Sequence, residues 1–216
     1  MSGEFVARME DVLELYAEPL DEARPVVCMD ELSKELHGQV AEPVPAEPGR
    51  TAKEDYEYTR NGTANVFLLL CPLLGWRHLE VTAHRGYLDF ARVMKALVDD
   101  HFPKAETIRV VLDDLNTHVF GALYEAFSPE EARRIATRLE FPDTPKHGSW
   151  LNMAEIELSV LQRQCLGQRF ADRATMDEDV TAWVATRNGT AAGIDWQFTT
   201  ADARIKLRRL YPTYDE

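Results

Sequence analysis

TIRVVLDD, residues 107–114, is a β-branched apolar run that stops in two carboxylates, and VVCMDE, residues 26–31, repeats the pattern after Pro25. Runs of that length and make-up read as buried strands. In an open α/β sheet, chemistry collects beyond the carboxyl ends of the strands, so a strand that runs into an acid delivers that acid to a fixed point. Asp30 and Asp113 both qualify. If their strands are neighbours, the two carboxylates repel each other until a proton or a cation comes between them. Mg²⁺ suits such hard oxygen donors and needs only one or two carboxylates, with water and phosphate oxygens completing its shell. The plainer reading is that each aspartate ends a strand or opens a turn.

Working outward, NVFLLL (65–70) and WRHLEVT (76–82) read as two strands of a hairpin turning through Pro72 and Gly75. Between the first strand and this hairpin, residues 35–62 carry Pro43, Pro45 and Pro48 and read as a long insertion loop. Apolar residues recur at helical spacing over residues 4–16, 87–102, 120–126, 129–138, 150–165, 176–187 and 201–210, and residues 139–142 form a short strand candidate. Ser128 is the expected N-cap of the 129–138 helix, with Pro129 at its first position and Glu131 closing a capping box. Strands and helices alternate, so the fold class is mixed α/β.

The third acid candidate lies in TPKHGSWLNMAEIELSVL, residues 144–161. Asn152 and Glu155 have capping-box spacing, which is the structural explanation for that glutamate. Leu151, Ala154, Leu158 and Leu161 set an apolar stripe, and the expectation is that Glu155 falls inside it while Glu157 points away. A carboxylate on a buried face needs a partner. Trp150 either packs in the core, the favoured reading, or stacks on an unpaired base.

An apolar fraction of 45% over 216 residues is enough for a substantial core. No charged leader and no run of about 18 apolar residues is present, so a cytoplasmic protein without membrane contact is expected. The three cysteines, Cys28, Cys71 and Cys165, lack paired spacing and read as reduced core residues. A net charge of −13 is the wrong sign for a broad nucleic-acid surface.

Four blocks, VVCMDE (26–31), RNGTANVF (60–67), VVLDDLNTH (110–118) and TPKHGSWLNMAEIELSVL (144–161), resemble the catalytic region of bacterial insertion-sequence transposases related to mariner elements, in the DDE superfamily. The resemblance covers nearly the whole chain, and its last block is the most specific. It implies an RNase H-like mixed five-stranded sheet flanked by helices. It also implies that Asp30, Asp113 and Glu155 bind two Mg²⁺ ions, with Mn²⁺ as a substitute, for cleavage and strand transfer at element ends. Two metals about 3.5–4 Å apart can clamp the attacking and leaving oxygens of an in-line phosphodiester displacement. Where such enzymes commonly carry Asp-Asn, this chain has Asp113-Asp114, and Asp113 is favoured because successive strand residues face opposite ways.

The implied partners are double-stranded DNA and a second copy of the chain in a synaptic complex, acting at the bacterial nucleoid. The implied organisation is a helical segment at 1–24, a catalytic unit at 25–190 and a basic helical tail at 191–216. Lys146 and His147, near the third acid, and Arg204, Lys206, Arg208 and Arg209 of the tail are the candidate DNA contacts. Asn116 and His118 are near the second acid but are not assigned a catalytic role. Helix-turn-helix modules normally precede such a domain. With about thirty residues ahead of Asp30 there is no room for them here, which accounts for the acidic balance. The alternative function is an inactive or regulatory fragment acting by protein association, for instance through its N-terminal helix. A nuclease of the same fold with another substrate is a third reading, which the length of the last block disfavours.

Overall fold

The computed structural model describes residues 3–40, 48–49, 51, 57–113 and 119–212. Asp114, Asn116 and His118 lie outside them. Helix α1 (Gly3–Ala17) leads into a sheet built from β1 (Val26–Gln39), β2 (Tyr58–Cys71), β3 (Trp76–Thr82), β4 (Ile108–Val111) and β5 (Leu139–Glu140), in the order β3-β2-β1-β4-β5. β1, β2 and β3 pair antiparallel, whereas β4 and β5 run parallel to β1. The mixed sheet expected from the sequence is therefore the one observed.

The central strands are apolar on both faces because helices cover both. On one side α2 (Tyr87–Ala96), α3 (Gly121–Ala126) and α4 (Pro129–Ala136) pack on Val27, Met29, Phe67, Leu69 and Val110. On the other, α1, α5 (Met153–Gln164), α6 (Arg173–Gly189) and α7 (Thr200–Lys206) pack on Cys28, Leu68, Leu70 and Val111. Among the described residues no helix is long and apolar enough to cross a membrane. Cys28 and Cys71 are buried, Cys165 is partly buried, and all three are free thiols.

Four expectations need correction. First, β1 does not stop at Asp30. It pairs with β2 from Cys28 opposite Leu70 to Gln39 opposite Tyr58, so both ends of the 35–62 stretch are strand. No proline interrupts residues 31–39, and the pairing continues past a register shift between Glu35 and His37, where the His37 N–H turns to the Phe170 carbonyl at 2.7 Å. Second, the helix offered for protein association in the alternative reading, α1, packs its apolar face inside this chain. Its face of Val6, Met9, Val12 and Leu13 is buried in the same cluster as Cys28, Leu68 and Leu70, and Ala203 of α7 joins that cluster. Third, Ser128 caps α4 through the Glu131 N–H at 3.4 Å, but the Glu131 carboxylate turns to Arg134, at 2.7 Å, and to Lys95. Two cations outcompete one backbone N–H for an ionised carboxylate. Fourth, residues 150–165 are not one helix. A 3₁₀ turn (Ser149–Leu151) ends at Asn152, whose extended backbone (φ −81°, ψ 110°) makes it the N-cap of α5.

The outer strand β3 meets the π-helical turn Leu97–His101 that ends α2 through a ring cluster. The His78 and His101 centroids are 4.2 Å apart, and Trp76 lies edge-on to Phe102 at 5.0 Å. Burial, with the His101 charge adding to it, pushes His78 down from 6.5 to about 4. Between those two values the unfolded chain binds a proton that the folded chain declines. Stability from this group is therefore fully present above pH 6.5 and is lost as pH falls through 4. His78→Gln should gain stability relative to wild type as pH falls from 6.5 to 4, by roughly 1–2 kcal/mol, allowing for partial exposure. Parallel melting curves for the two proteins across that window would refute it.

Candidate active site

The placement of the acids follows from strand alternation. In β1, Val27 and Met29 face the α2 side and Cys28 faces the α5 side, so Asp30 shares the α5 side. In the β4 segment Val110 and Leu112 face α2 and Val111 faces α5, so Asp113 projects the same way. Cys28 stands opposite Val111 in the parallel ladder, and two residues further on lie Asp30, within β1, and Asp113, just past the end of β4. The neighbouring strands anticipated from the sequence thus bring these acids side by side.

α5 supplies the third. The Asn152 side chain accepts from the Ala154 N–H at 3.1 Å and donates to the Met29 carbonyl at 2.8 Å, fastening the start of the helix to the residue before Asp30. Glu155 follows in the first turn and is exposed at its surface. Asp30 feels this company. Burial first, and then the charges of Asp113, Glu31 and Glu155, push its carboxyl up to about 7 against the Glu31 N–H that donates to Oδ1 at 2.8 Å. Three acids from three separate elements therefore share one electrostatic neighbourhood. Among the described residues no three His, Cys, Asp or Glu side chains are drawn into a finished metal cage. The donor chemistry nonetheless fits a hard divalent cation: oxygen ligands only, like-charged, and strained by that likeness.

The roles expected within α5 are exchanged. Glu157, not Glu155, lies on the buried stripe with Ala154, Leu158 and Leu161, and its side chain is 1% exposed. It is three residues beyond Ala154, the helical interval that the apolar residues themselves follow. Arg77 of β3 meets it at 2.9 Å and Arg187 of α6 forks onto it at 2.7 and 2.9 Å, which makes burial of the charge tolerable. Arg77 and Arg187 were not singled out in the sequence, since nothing local distinguishes them from surface arginines.

A cavity of about 310 Å³ opens between Leu112 and Asp113 at the end of β4, the turn from Thr144 to Ser149, and Asn152. Thr144 Oγ1 donates to the Leu112 carbonyl at 2.8 Å and holds this turn to β4. Lys146 and His147 are exposed on the cavity wall, and His147 takes a left-handed backbone (φ 65°), a conformation uncommon outside glycine. The tail residues diverge from the sequence reading. Arg204 is paired bidentately with Glu10 of α1 at 2.9 and 2.8 Å, and Lys206 meets Asp202 at 2.9 Å, so their charges are answered within the chain. Arg208 and Arg209 are exposed in a 3₁₀ turn. Trp150 is 42% exposed, contrary to the core packing expected of it, because Leu151 takes the buried place in that turn.

The model of the family described as the DDE superfamily endonuclease matches residues 25–177. No curated protein matches the chain by sequence. Among solved structures the fold resembles the Mos1 mariner paired end complex with Mn, with a TM-score of 0.56 at 13% identity over 89% of this chain and 58% of that one. It also resembles the Mos1 strand transfer complex, with a TM-score of 0.59 at 12% identity over 89% and 57%. A third likeness is to the Mos1 paired end complex with Mg, with a TM-score of 0.52 at 13% identity over 91% and 65%. The chain spans less than two thirds of each of these neighbours. What they share with it is the RNase H-like sheet with its flanking helices.

Proposed function

Because the chain belongs to the DDE superfamily of endonucleases, we propose that it is the catalytic core of a transposase, with Asp30, Asp113 and Glu155 as its acting carboxylates. The observation that carries this reading is the convergence of the three acids: the β1–β4 register sets Asp30 and Asp113 on one side of the sheet, and Asn152 fastens the start of the Glu155 helix to the Met29 carbonyl beside Asp30. The named neighbours are complexes of Mos1 with paired ends, with Mn or Mg, and in strand transfer. Brought to this chain, they suggest DNA ends as substrate and Mg²⁺ or Mn²⁺ as cofactor.

Asp30, Asp113 and Glu155 would hold the metal ions. Bound divalent cations supply Lewis-acid stabilisation of the oxygens that attack and leave in phosphodiester displacement. The chain's own residues do the positioning. The Glu31 N–H fixes one Asp30 oxygen and leaves the other to bind. Asn152 sets the start of α5 against β1 and thereby the height of Glu155 over Asp30. Lys146 and His147, at the cavity wall beside Asp113, offer donors to a DNA phosphate.

A supercoiled-plasmid nicking assay with Mg²⁺ or Mn²⁺ tests the reading. Wild type should nick, and Asp113→Ala and Glu155→Ala should fall to background while remaining folded. Equal nicking by all three, or none by any folded protein, would overturn it.

A further inference from the structure

Trp150 is a large apolar side chain left 42% exposed on a turn that is otherwise tied down on every side. Its neighbour Leu151 is buried, and the Leu151 carbonyl accepts from the Tyr16 hydroxyl at 2.8 Å. Asn152 donates to the Met29 carbonyl at 2.8 Å. Ahead of it, Gly148 packs so tightly on the turn that a Cβ there would lie 2.7 Å from the Pro145 carbonyl oxygen. The backbone under Trp150 therefore has little freedom, and the ring is supported from below by Phe198, edge-on at 5.9 Å. The Lys206 ammonium stands 5.4 Å from the Phe198 ring centroid. On either side of Trp150 in sequence, Ser149 and Asn152 line the cavity that holds Asp113.

A fixed, buttressed, solvent-facing indole, carried by the turn whose Ser149 and Asn152 line the Asp113 cavity, is what stacking on a nucleobase requires. The flat π-face accepts any base. We propose that Trp150 is a stacking platform for an unpaired base of the DNA substrate next to the phosphate being cut. The inference rests on the DNA chemistry proposed above. A base still in the duplex cannot offer its face to a side chain, so the platform favours DNA whose strands are already parted near the cleavage point. A second copy of the chain docking on Trp150 would instead make this residue a determinant of self-association.

The test is fluorescence anisotropy with the full chain in Ca²⁺. It compares a blunt DNA duplex with one of equal length carrying a short unpaired 3′ tail, for wild type, Trp150→Ala and Trp150→Phe. Trp150→Ala should bind the tailed duplex roughly tenfold more weakly and the blunt duplex as before, with an unchanged melting temperature. Trp150→Phe, which keeps a ring, should retain most of the tail preference. Equal losses on both duplexes, no loss on either, or a change in sedimentation without a change in tail preference would each overturn the platform. Plasmid nicking reads the chemistry separately. Nicking intact with tail preference absent sinks the platform alone, and tail preference intact with nicking absent sinks the transposase reading alone.

Discussion

Glu157→Ala should lower stability by about 3–5 kcal/mol, the ordinary consequence of removing one partner from a buried ion pair. Arg77, whose side chain is 0% exposed, would keep its charge in the core with, among the described residues, the Asn188 side chain at 3.4 Å and the Ala192 carbonyl to answer it. Arg187 would lose two hydrogen bonds, though it is partly exposed and stacks on Trp183 at 5.3 Å, so it can turn to water. For a chain of this size the loss corresponds to a fall in melting temperature of roughly 10 °C. The effect should arise from the orphaned charge and not from the loss of attraction. Replacing both partners by apolar residues of similar volume, Arg77→Met with Glu157→Leu, should therefore recover most of it. Calorimetry on the single and double variants decides the matter. A single variant that melts with wild type, or a double variant no better than the single, would refute it.

Asp30→Asn should abolish nicking and yet make the metal-free protein more stable at pH 8. The carboxyl is pushed up to about 7 in the folded chain from an ordinary value of 3.8. Between those values the folded state holds a proton that the unfolded state releases, so this group favours folding less and less as pH rises from 3.8 to 7. The cost is complete above pH 7, and asparagine, with nothing to ionise, avoids it. Allowing for partial exposure, a gain of about 2 kcal/mol, or about 4–8 °C, is expected at pH 8, shrinking to nothing near pH 4. Mg²⁺ or Mn²⁺ should raise the melting temperature of wild type and that of Asp30→Asn much less, since the variant keeps only two of the three carboxylates that would hold the cation. A variant that melts below wild type at pH 8, or gains as much from the cation, would contradict this placing of Asp30. The pH slope from Asp30 opposes that from His78 over the acid range, so wild type should show a flatter pH profile than either variant.

What the sequence determined by itself is local. Alternation along VVCMDE and TIRVVLDD put Asp30 and Asp113 on definite faces, because side chains in a strand alternate whatever the strand packs against. The Asn152 cap, the Ser128 cap and the apolar faces of α1 and α2 were legible for the same reason: each depends on residues within a turn or two.

The tertiary structure decided the rest, each time through a partner distant along the chain. The length of β1 depended on β2 lying alongside it as far as Gln39 opposite Tyr58. Glu10, 194 positions from Arg204, turned a candidate DNA contact into an internal ion pair. Leu151 took the buried place that Trp150 was expected to fill. The roll of α5 depended on Arg77 and Arg187, which let Glu157 enter the core and left Glu155 at the surface beside Asp30 and Asp113. Helical periodicity marks which residues share a face, but it cannot say which charged residue on that face will meet its counter-charge. A buried charge is stable only where that counter-charge arrives from elsewhere in the fold.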